Sequence, residues 1–193
     1  ENEEYDASVL DVTGDCYYDG YWQNEKYFMN VKDQLYDVFT PKDIDSKNAS
    51  FANEISACNS VSLHVRRGDY TKNPLYGGIC NETYYINAIK ELQSHTDVDV
   101  YCVFSNDILW CKEHLPMIVG NKTIKYVDWN TKTDSYIDIY LMSCCRHNIV
   151  ANSSFSWWGA WLNRNKDKIV ICPKKWNNIK GSQFEIPKNW LRV

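Results

Sequence analysis

The chain has 193 residues, 44% of them hydrophobic, which is enough for one sizeable core or two small ones. Lysine and arginine number 21 against 25 aspartates and glutamates, so the net charge is −4 and the broad basic field typical of nucleic-acid-binding or anionic-membrane-binding domains is absent. No apolar run is long enough for a transmembrane segment, and no signal-peptide pattern opens the sequence.

Residues 1–60 differ in character from the rest of the chain. The aromatic stretch YYDGYWQNEKYF and the mixed sequence after it indicate part of another unit, or its connection to the following one. The polar residues 40–50 predict an exposed loop. In the aromatic stretch, Tyr21 and Trp22 are open to two interpretations, packing in a core or stacking on sugar rings.

From residue 61 onward, strand-like and helix-like segments alternate. Five strands are predicted: VSLHV (61–65), VDVYCVFS (98–105), TIKYVDW (123–129), HNIVA (147–151) and KIVICP (168–173). Four helices are predicted between them: YYINAIKEL (84–92), ILWCKEHL (108–115), SYIDIYLMSCC (135–145) and SFSWWGAWL (154–162). This alternation predicts an α/β domain with a doubly wound parallel sheet.

Local signals refine three of these helices. Asp107 is predicted to cap the second helix, and Pro116 to lie just beyond its end. Asp134 or Ser135 is expected to cap the third. The fourth carries Trp157, Trp158 and Trp161 at helical spacing, which favours a place in the core over sugar stacking.

Polar residues lie at or just beyond the end of every predicted strand, at the edge where ligands of open parallel sheets bind. They are Arg66-Arg67-Gly68-Asp69, Ser105-Asn106-Asp107, Asp128-Trp129, Asn152-Ser153-Ser154 and Lys174-Lys175-Trp176. This convergence predicts a crevice for a polar ligand, with Asn106 and Asp107 among its substrate-binding residues. The acidic pair Asp97 and Asp99 precedes its strand, so we interpret it as a solvated turn.

The two adjacent arginines indicate an anionic ligand. Strand alternation places His64 and Arg66 on one face, with Arg67 reaching out where the strand ends. Guanidinium groups grip phosphate oxygens in a planar fork, and Gly68 allows a sharp turn and a close approach. The alternative is a structural ion pair between an arginine and Asp69. An RGD adhesion role is disfavoured, because the tripeptide directly follows a buried strand.

Cysteines and sequons say little about the cellular compartment. The eight cysteines form no C-x-x-C pair or zinc-spaced cluster, and we expect Cys102 and Cys172 to be buried thiols. N-x-S/T sequons begin at Asn48, Asn81, Asn121 and Asn152. The first three lie in polar surroundings and could carry glycans if the protein is secretory.

Several motifs resemble those of the bacterial-type α-1,2-fucosyltransferases. They are GYWQNEKYF, HVRRGDY, FSNDILWCKEHL and the long stretch from DSYIDIYLMSCC to VICPKKW. The similarity as a whole extends over about residues 9–176. The resemblance implies a two-domain GT-B architecture, GDP-fucose as donor, a galactose-terminated glycan as acceptor, inversion, no metal cofactor and no nucleic-acid partner. It favours a bacterial cytoplasmic location, with the secretory pathway or Golgi lumen as the alternative.

The resemblance also implies roles for individual residues. His64 and Arg66 would contact the nucleotide and its phosphates, with Arg67 beside them. Asp138 and Ser153 or Ser154 would touch the donor. Arg66 would act catalytically by stabilising the departing GDP. Apart from the resemblance, Asp69 is the carboxylate nearest to the arginines and therefore the candidate general base. It could equally orient Arg66 or bind the acceptor, and the base could lie in the missing region.

The family's glycine-rich G-x-G-N-Q-M-F-type element is missing, so we expect about the first third of a family member to be absent. Residues 1–60 would then be the remnant of an acceptor-side domain and its connection, and residues 61–193 the GDP-fucose-binding Rossmann-like domain. Two alternatives stay open: a fucosyltransferase of another linkage, and a non-catalytic GDP-sugar-binding fragment.

Overall fold

The computed structural model describes residues 5–20, 22–182 and 184–193, and their strands form one parallel sheet. The six strands are β1 (Ser60–Val65), β2 (Val100–Ser105), β3 (Thr123–Val127), β4 (His147–Ile149), β5 (Val170–Cys172) and β6 (Leu191–Arg192). Their order across the sheet is β3-β2-β1-β4-β5-β6, and every neighbouring pair is parallel. The predicted doubly wound, Rossmann-like sheet is confirmed.

Six α-helices accompany the sheet. They are α1 (Lys32–Phe39), α2 (Ser46–Ser56), α3 (Glu82–His95), α4 (Ile108–Val119), α5 (Tyr136–Cys144) and α6 (Ser154–Trp161). Short 3-10 helices occupy Ala7–Asp11, Glu25–Tyr27, Met29–Val31, Gly68–Tyr70 and Lys132–Asp134. Among the described residues, no helix combines the length and apolar character needed to cross a bilayer.

Both faces of the sheet are covered, and β1 and β2 are accordingly buried along almost their whole length. On one face, Leu63 of β1 packs in a cluster with Tyr85 of α3 and Leu115 of α4. On the other face, Cys102 of β2 lies in a cluster with Ile55 of α2 and with apolar residues of α5. Cys102 and Cys172 are both fully buried, as predicted.

A third cluster surrounds the tryptophans of α6. Trp157 and Trp161 are 0% and 3% exposed, and Phe28 contacts both rings edge-on. Trp158 stacks on Phe28 and on Phe39. The prediction that this trio belongs to the core is confirmed. Of the two residues left open, Trp22 packs edge-on against Tyr18 and Tyr27, and Tyr21 lies outside the described residues.

The expectation of an exposed loop over residues 40–50 is wrong in its second half, because α2 begins at Ser46. Asp45 starts the helix by accepting a 3.0 Å hydrogen bond from the amide of Asn48. Asn48 is 1% exposed, so its sequon is not available for a glycan. Phe51 and Ile55 of α2 pack against the sheet. The assignment of residues 1–60 to an acceptor-side remnant stays a prediction.

Two expectations about helix ends also need correction. Asp107 caps α4 as predicted, but the helix continues through Pro116 to Val119 and is followed by the C-cap residue Gly120, whose φ is +73°. Proline removes one amide donor, yet its own carbonyl still accepts from the Gly120 amide at 3.0 Å. Ser135 occupies the N-cap position of α5 but forms no capping hydrogen bond through its side chain.

Candidate functional site

The order of the strands locates the candidate site. The chain builds the sheet from β1 towards β3, then returns to the other side of β1 and builds from β4 to β6. The carboxyl ends of β1 and β4 therefore flank the switch point at which open α/β sheets bind ligands. Arg66 follows β1 directly, and Ser153 lies in the loop between β4 and α6. The switch point thus coincides with two of the predicted site segments.

His64 is the buried member of the β1 segment. Its side chain faces Phe155 of α6 with the ring centroids 5.6 Å apart, and the residue is 4% exposed. Burial and the nearby charge of Arg66 lower the pKa of His64 to about 3, so the imidazole is neutral at physiological pH. Its Nδ1 is buried and has no hydrogen-bond partner in the part of the chain that the structure describes.

Arg66 forms an ion pair with Asp69, which the sequence analysis gave as the alternative to an anionic ligand. Its Nη2 lies 2.9 Å from the Asp69 carboxylate, and its guanidinium lies over the Tyr70 ring at 5.2 Å. The Nε atom, by contrast, is buried and has no hydrogen-bond partner among the described residues. Buried polar atoms are nearly always satisfied in native proteins, so this donor and the His64 Nδ1, which donates or accepts according to its tautomer, are two groups at this edge that can bind a ligand.

Arg67 is held by a different helix. Its Nε lies 3.2 Å from Oδ2 of Asp107, and its guanidinium lies over the Trp110 ring at 4.2 Å. Asp107 also caps α4 through its other oxygen, which accepts from the Trp110 amide at 3.2 Å. The two carboxylate oxygens are therefore both engaged, and they fix Arg67 on the first turn of α4.

Asn106 connects the two arginine segments. Its Oδ1 accepts from the Arg67 amide at 2.9 Å, and its Nδ2 donates to the Asp69 carboxylate at 3.3 Å. Gly68 has φ +24°, and a Cβ there would lie 2.5 Å from the Asn106 amide nitrogen. A glycine is therefore required at this position both for the turn and for the close approach of Asn106.

The other residues predicted to contact the sugar donor lie along the same edge of the sheet. Burial raises the pKa of Asp138 to about 7, although Asn130 donates a 2.8 Å hydrogen bond to its carboxylate. Ser153 is buried at the N-cap position of α6 and forms no capping bond, while Ser154 is exposed. The contact of these residues with a donor stays a prediction.

The acidic pair before β2 lies at the opposite edge. Asp97 is exposed and 2.6 Å from Lys122 Nζ, and Asp99 accepts from the Asn59 amide at 2.7 Å. The interpretation of this segment as a solvated turn is confirmed.

A cavity of about 1080 Å³ lies at the ends of β5 and β6, and residues 64–69 do not line it. Lys174, Lys175 and Trp176, which the sequence had placed at the edge, form part of its wall. Asn152 joins this region to the loop after β1, because its Nδ2 donates to the Trp176 and Tyr76 carbonyls at 3.1 and 3.2 Å.

Two aromatic positions were missed by the sequence reasoning. Tyr70 and Trp110 provide the rings under the arginines. Both signals were present, because Tyr70 ends the HVRRGDY motif and Trp110 lies three residues after the capping Asp107. No sequence pattern indicated how far the cavity extends beyond β5.

The sequence matches the model of glycosyl transferase family 11 over residues 2–192. The chain belongs to glycosyl transferase family 11. This membership confirms the resemblance found in the motifs, and it makes the crevice at the switch point the expected place for a nucleotide-sugar donor in this family 11 chain.

Three relatives of the family 11 chain are similar over different lengths. An alpha-1,2-colitosyltransferase of Escherichia coli is 38% identical over 200 residues, covering 100% of this chain and 68% of the relative. The O-antigen biosynthesis glycosyltransferase WbnK of Escherichia coli is 43% identical over 139 residues, covering 70% of this chain and 45% of WbnK. Galactoside alpha-(1,2)-fucosyltransferase 1 of Saimiri boliviensis boliviensis is 28% identical over 105 residues, covering 53% of this chain and 28% of the relative. The matches thus span less than half of two of these relatives.

Proposed function

We propose that this chain is the donor-binding part of an α-1,2-fucosyltransferase-type enzyme of GT-B architecture. It would transfer fucose from GDP-fucose to the 2-hydroxyl of a galactose-type acceptor, with inversion and without a metal. The observation that carries the proposal is the pair of buried, unpartnered atoms at the switch point, Nε of Arg66 and Nδ1 of His64. The names of two relatives support the linkage.

The ion pairs of the arginines are compatible with a diphosphate ligand. The Asp69 side chain is 59% exposed, and exposed ion pairs contribute about 0–1 kcal/mol. A hydrogen bond between a guanidinium and a phosphate oxygen is worth roughly 1.5–3 kcal/mol. Exchanging a carboxylate contact for a phosphate contact is therefore favourable, and the aromatic ring beneath each guanidinium keeps it in place during the exchange.

Each polar group has a distinct role in this proposal. Arg66 and Arg67 stabilise the negative charge that develops on GDP as an oxocarbenium-like transition state forms. Neutral His64 offers its Nδ1 for one hydrogen bond to the donor. Asn106 and Asp107 act as positioning residues, because they hold the arginines rather than face the ligand.

The loop between β4 and α6 would complete the donor site. Ser153 and Ser154 lie at the amino end of α6, where free amide groups attract negative charge. Asp138 is partly protonated near neutral pH because its pKa is raised to about 7, so it can donate a hydrogen bond to an oxygen of the donor.

Asp69 is the proposed general base for the acceptor hydroxyl. Its exposed carboxylate lies beside the phosphate-binding arginine, within reach of a group entering from solvent. Asn106 donates to this carboxylate independently of Arg66, so it can orient Asp69 after a phosphate has replaced the carboxylate on the guanidinium. An acceptor bound next to the donor would present its hydroxyl to this oxygen.

A second candidate donor is a colitose nucleotide, because one E. coli relative is an alpha-1,2-colitosyltransferase. A fucosyltransferase of another linkage and a non-catalytic GDP-sugar-binding module are the remaining alternatives. The bacterial cytoplasmic location stays a prediction.

Calorimetric titration with GDP, GDP-fucose and GDP-colitose tests the donor assignment. Wild type and Arg146→Ala, an exposed arginine at the opposite edge of the sheet, should bind GDP alike, whereas Arg66→Ala should bind at least about tenfold more weakly. A transfer assay with a galactose-terminated acceptor follows, using the full-length protein. Failure of wild type to bind GDP would overturn the proposal, and binding without transfer would favour the non-catalytic module.

A further inference from the structure

The cavity at the ends of β5 and β6 is a second candidate site. It lies beside residues 173–190, which connect these two strands, and its volume is about 1080 Å³. Pockets for small molecules commonly measure about 300–1000 Å³, so this one has room for more than a single sugar ring. None of the residues assigned above to the donor lines it.

The cavity carries a local excess of positive charge. Its lining has two acidic side chains, Glu25 and Glu185, against six cationic ones: Lys26, Lys174, Lys175, Lys180, Lys188 and Arg192. We call these eight residues and the space between them the lysine cleft. The chain as a whole has a net charge of −4, so the composition does not account for the excess.

The two acids of the lysine cleft already have partners. Glu185 accepts hydrogen bonds from Lys26 Nζ at 2.8 Å and from Asn24 Nδ2 at 2.7 Å. Glu25 accepts from Trp161 Nε1 at 3.1 Å. Glu185 is thus paired with Lys26, whereas Glu25 keeps its charge, so five further cationic side chains face one carboxylate that has no ion pair among the described residues.

The lysines after β5 are exposed and unpaired. Within the described ranges, Lys174, Lys175 and Lys180 have no carboxylate within the 4.0 Å that defines an ion pair. Their charge is therefore available to a ligand that carries anionic groups.

Aromatic rings accompany the charge. Trp176 and Phe184 stack with their centroids 4.5 Å apart and their planes 6° from parallel, and both line the cleft. Tyr5 lines it as well. Trp176 is only 9% exposed and packs on Phe184, so the half-buried Phe184 and Tyr5 provide the apolar surface in the cleft. Such surfaces next to polar groups are suited to sugar rings, which are apolar on their faces and polar at their edges.

The lysine cleft is connected to the arginine site by hydrogen bonds. Asn178 Nδ2 donates to the carbonyls of Pro74 and Gly77, both 3.0 Å away, in the loop that follows the RRGDY segment. Only β4 separates β5 from β1, which places the two strand ends roughly 10 Å apart at the usual strand spacing. A ligand held in the cleft can therefore extend towards the donor.

We propose that the lysine cleft binds an acidic segment of the acceptor glycan, a sugar bearing a carboxylate or a phosphate group. The proposal rests on the proposed glycosyltransferase function and names the substrate class of its acceptor. The net charge of −4 argues against a nucleic acid, and the aromatic rings argue for a sugar over a simple inorganic anion.

The test measures the binding of trigalacturonate, galactose 1-phosphate and the neutral sugar galactotriose by calorimetry. Wild type should bind at least one of the two anionic sugars more tightly than galactotriose. The double variant Lys174→Glu/Lys175→Glu should weaken that binding at least about tenfold, since each charged hydrogen bond is worth roughly that much. The response to the carboxylated or the phosphorylated sugar identifies the anion.

The matched control is Lys90→Glu/Lys166→Glu, which changes the net charge equally at two exposed lysines outside the cleft. It should bind both anionic sugars as wild type does, and thermal unfolding should show that both double variants are folded. Equal weakening in both, no weakening in the first, or stronger competition by anionic lipid vesicles than by free sugars would overturn the proposal. A parallel GDP titration of wild type keeps the two proposals separate, because absence of GDP binding would count only against the proposed function.

Discussion

The carboxyl edge of the sheet carries positive charge at two places that are built differently. After β1, Arg66 and Arg67 each contact a carboxylate and lie over an aromatic ring. After β5, Lys174 and Lys175 have neither an ion pair nor a ring contact among the described residues. The first place is a preorganised pair of planar donors, and the second is a flexible cluster of point charges.

This difference indicates that the positive charges after β1 and those after β5 have different roles. Fixed donors stabilise charge that develops at one position in a transition state without reorganising. Mobile ammonium groups adapt to ligands whose charge varies in position, at the cost of side-chain entropy. We therefore expect substitutions after β1 to affect the rate of transfer, and those after β5 to affect mainly the affinity for the acceptor.

The largest expected effect tests the arginine site as a catalytic one. Arg66→Ala in the full-length enzyme should lower kcat on the order of 100- to 1000-fold, because a donor to the departing GDP is lost. Its melting temperature should change little, since the ion pair that it removes is largely exposed. Arg146→Ala is the control, and near-normal turnover of Arg66→Ala would contradict the assignment.

Removal of the proposed base should come next. Asp69→Asn should lower kcat at least about 100-fold and remove the acidic limb of the pH–rate profile, because the amide cannot accept the acceptor proton. GDP affinity should be largely retained. An unchanged rate and an unchanged acidic limb would exclude Asp69 as the base.

A smaller effect is expected from Gly68→Ala. The added Cβ would meet Asn106 at 2.5 Å and push it away from the Arg67 amide, which should weaken GDP binding by about 1–3 kcal/mol. Gly181→Ala, at the lysine cleft, also has a positive φ of +82° but open space around it, and should leave GDP affinity unchanged. Equal GDP affinities in the two variants would show that Asn106 does not organise the arginines.

The smallest effect is a pH dependence specific to the β1 end. Because the pKa of His64 is lowered to about 3, the folded chain stays unprotonated there while the unfolded chain takes up a proton below pH 6.5. The contribution of His64 to stability is thus full above pH 6.5 and is lost as the pH falls towards 3. The difference in stability between wild type and His64→Gln, measured by urea unfolding between pH 7.5 and 4.5, should change by up to about 1.4 kcal/mol per pH unit. The raised pKa of Asp138, which acts in the opposite direction, and the lowered pKa of His147 are common to both proteins and cancel in this difference.

His64→Gln should change the slope of wild type, whereas substitution of the exposed His95 should leave it unchanged. Equal slopes in wild type and His64→Gln would mean that His64 does not contribute to the pH dependence. No histidine is among the described residues that line the lysine cleft. We therefore expect substitutions in the cleft to leave the pH dependence of stability unchanged, unlike the substitution of His64 after β1.

Much of the fold followed from local patterns in the sequence. Apolar runs such as VSLHV and VDVYCVFS define buried parallel strands, and their alternation with helical segments is enough to imply a doubly wound sheet. The sequence-based predictions were wrong where contacts with distant parts of the chain outweighed a local preference. Pro116 stays inside α4 because Leu115 and Val119 on both sides of it are buried against the sheet, and Asn48 is helical because it bonds to distant residues.

The sequence by itself determined which side chains could form a site: the arginines, the histidine two residues before them and the polar residues after each strand. Only the tertiary structure decided how they are used, because burial and strand order are not local properties. Burial makes His64 neutral, and the order β3-β2-β1-β4-β5-β6 brings residues 66 and 153 to one crevice. The path of residues 173–190 creates the lysine cleft, since its walls are assembled from segments far apart in the chain.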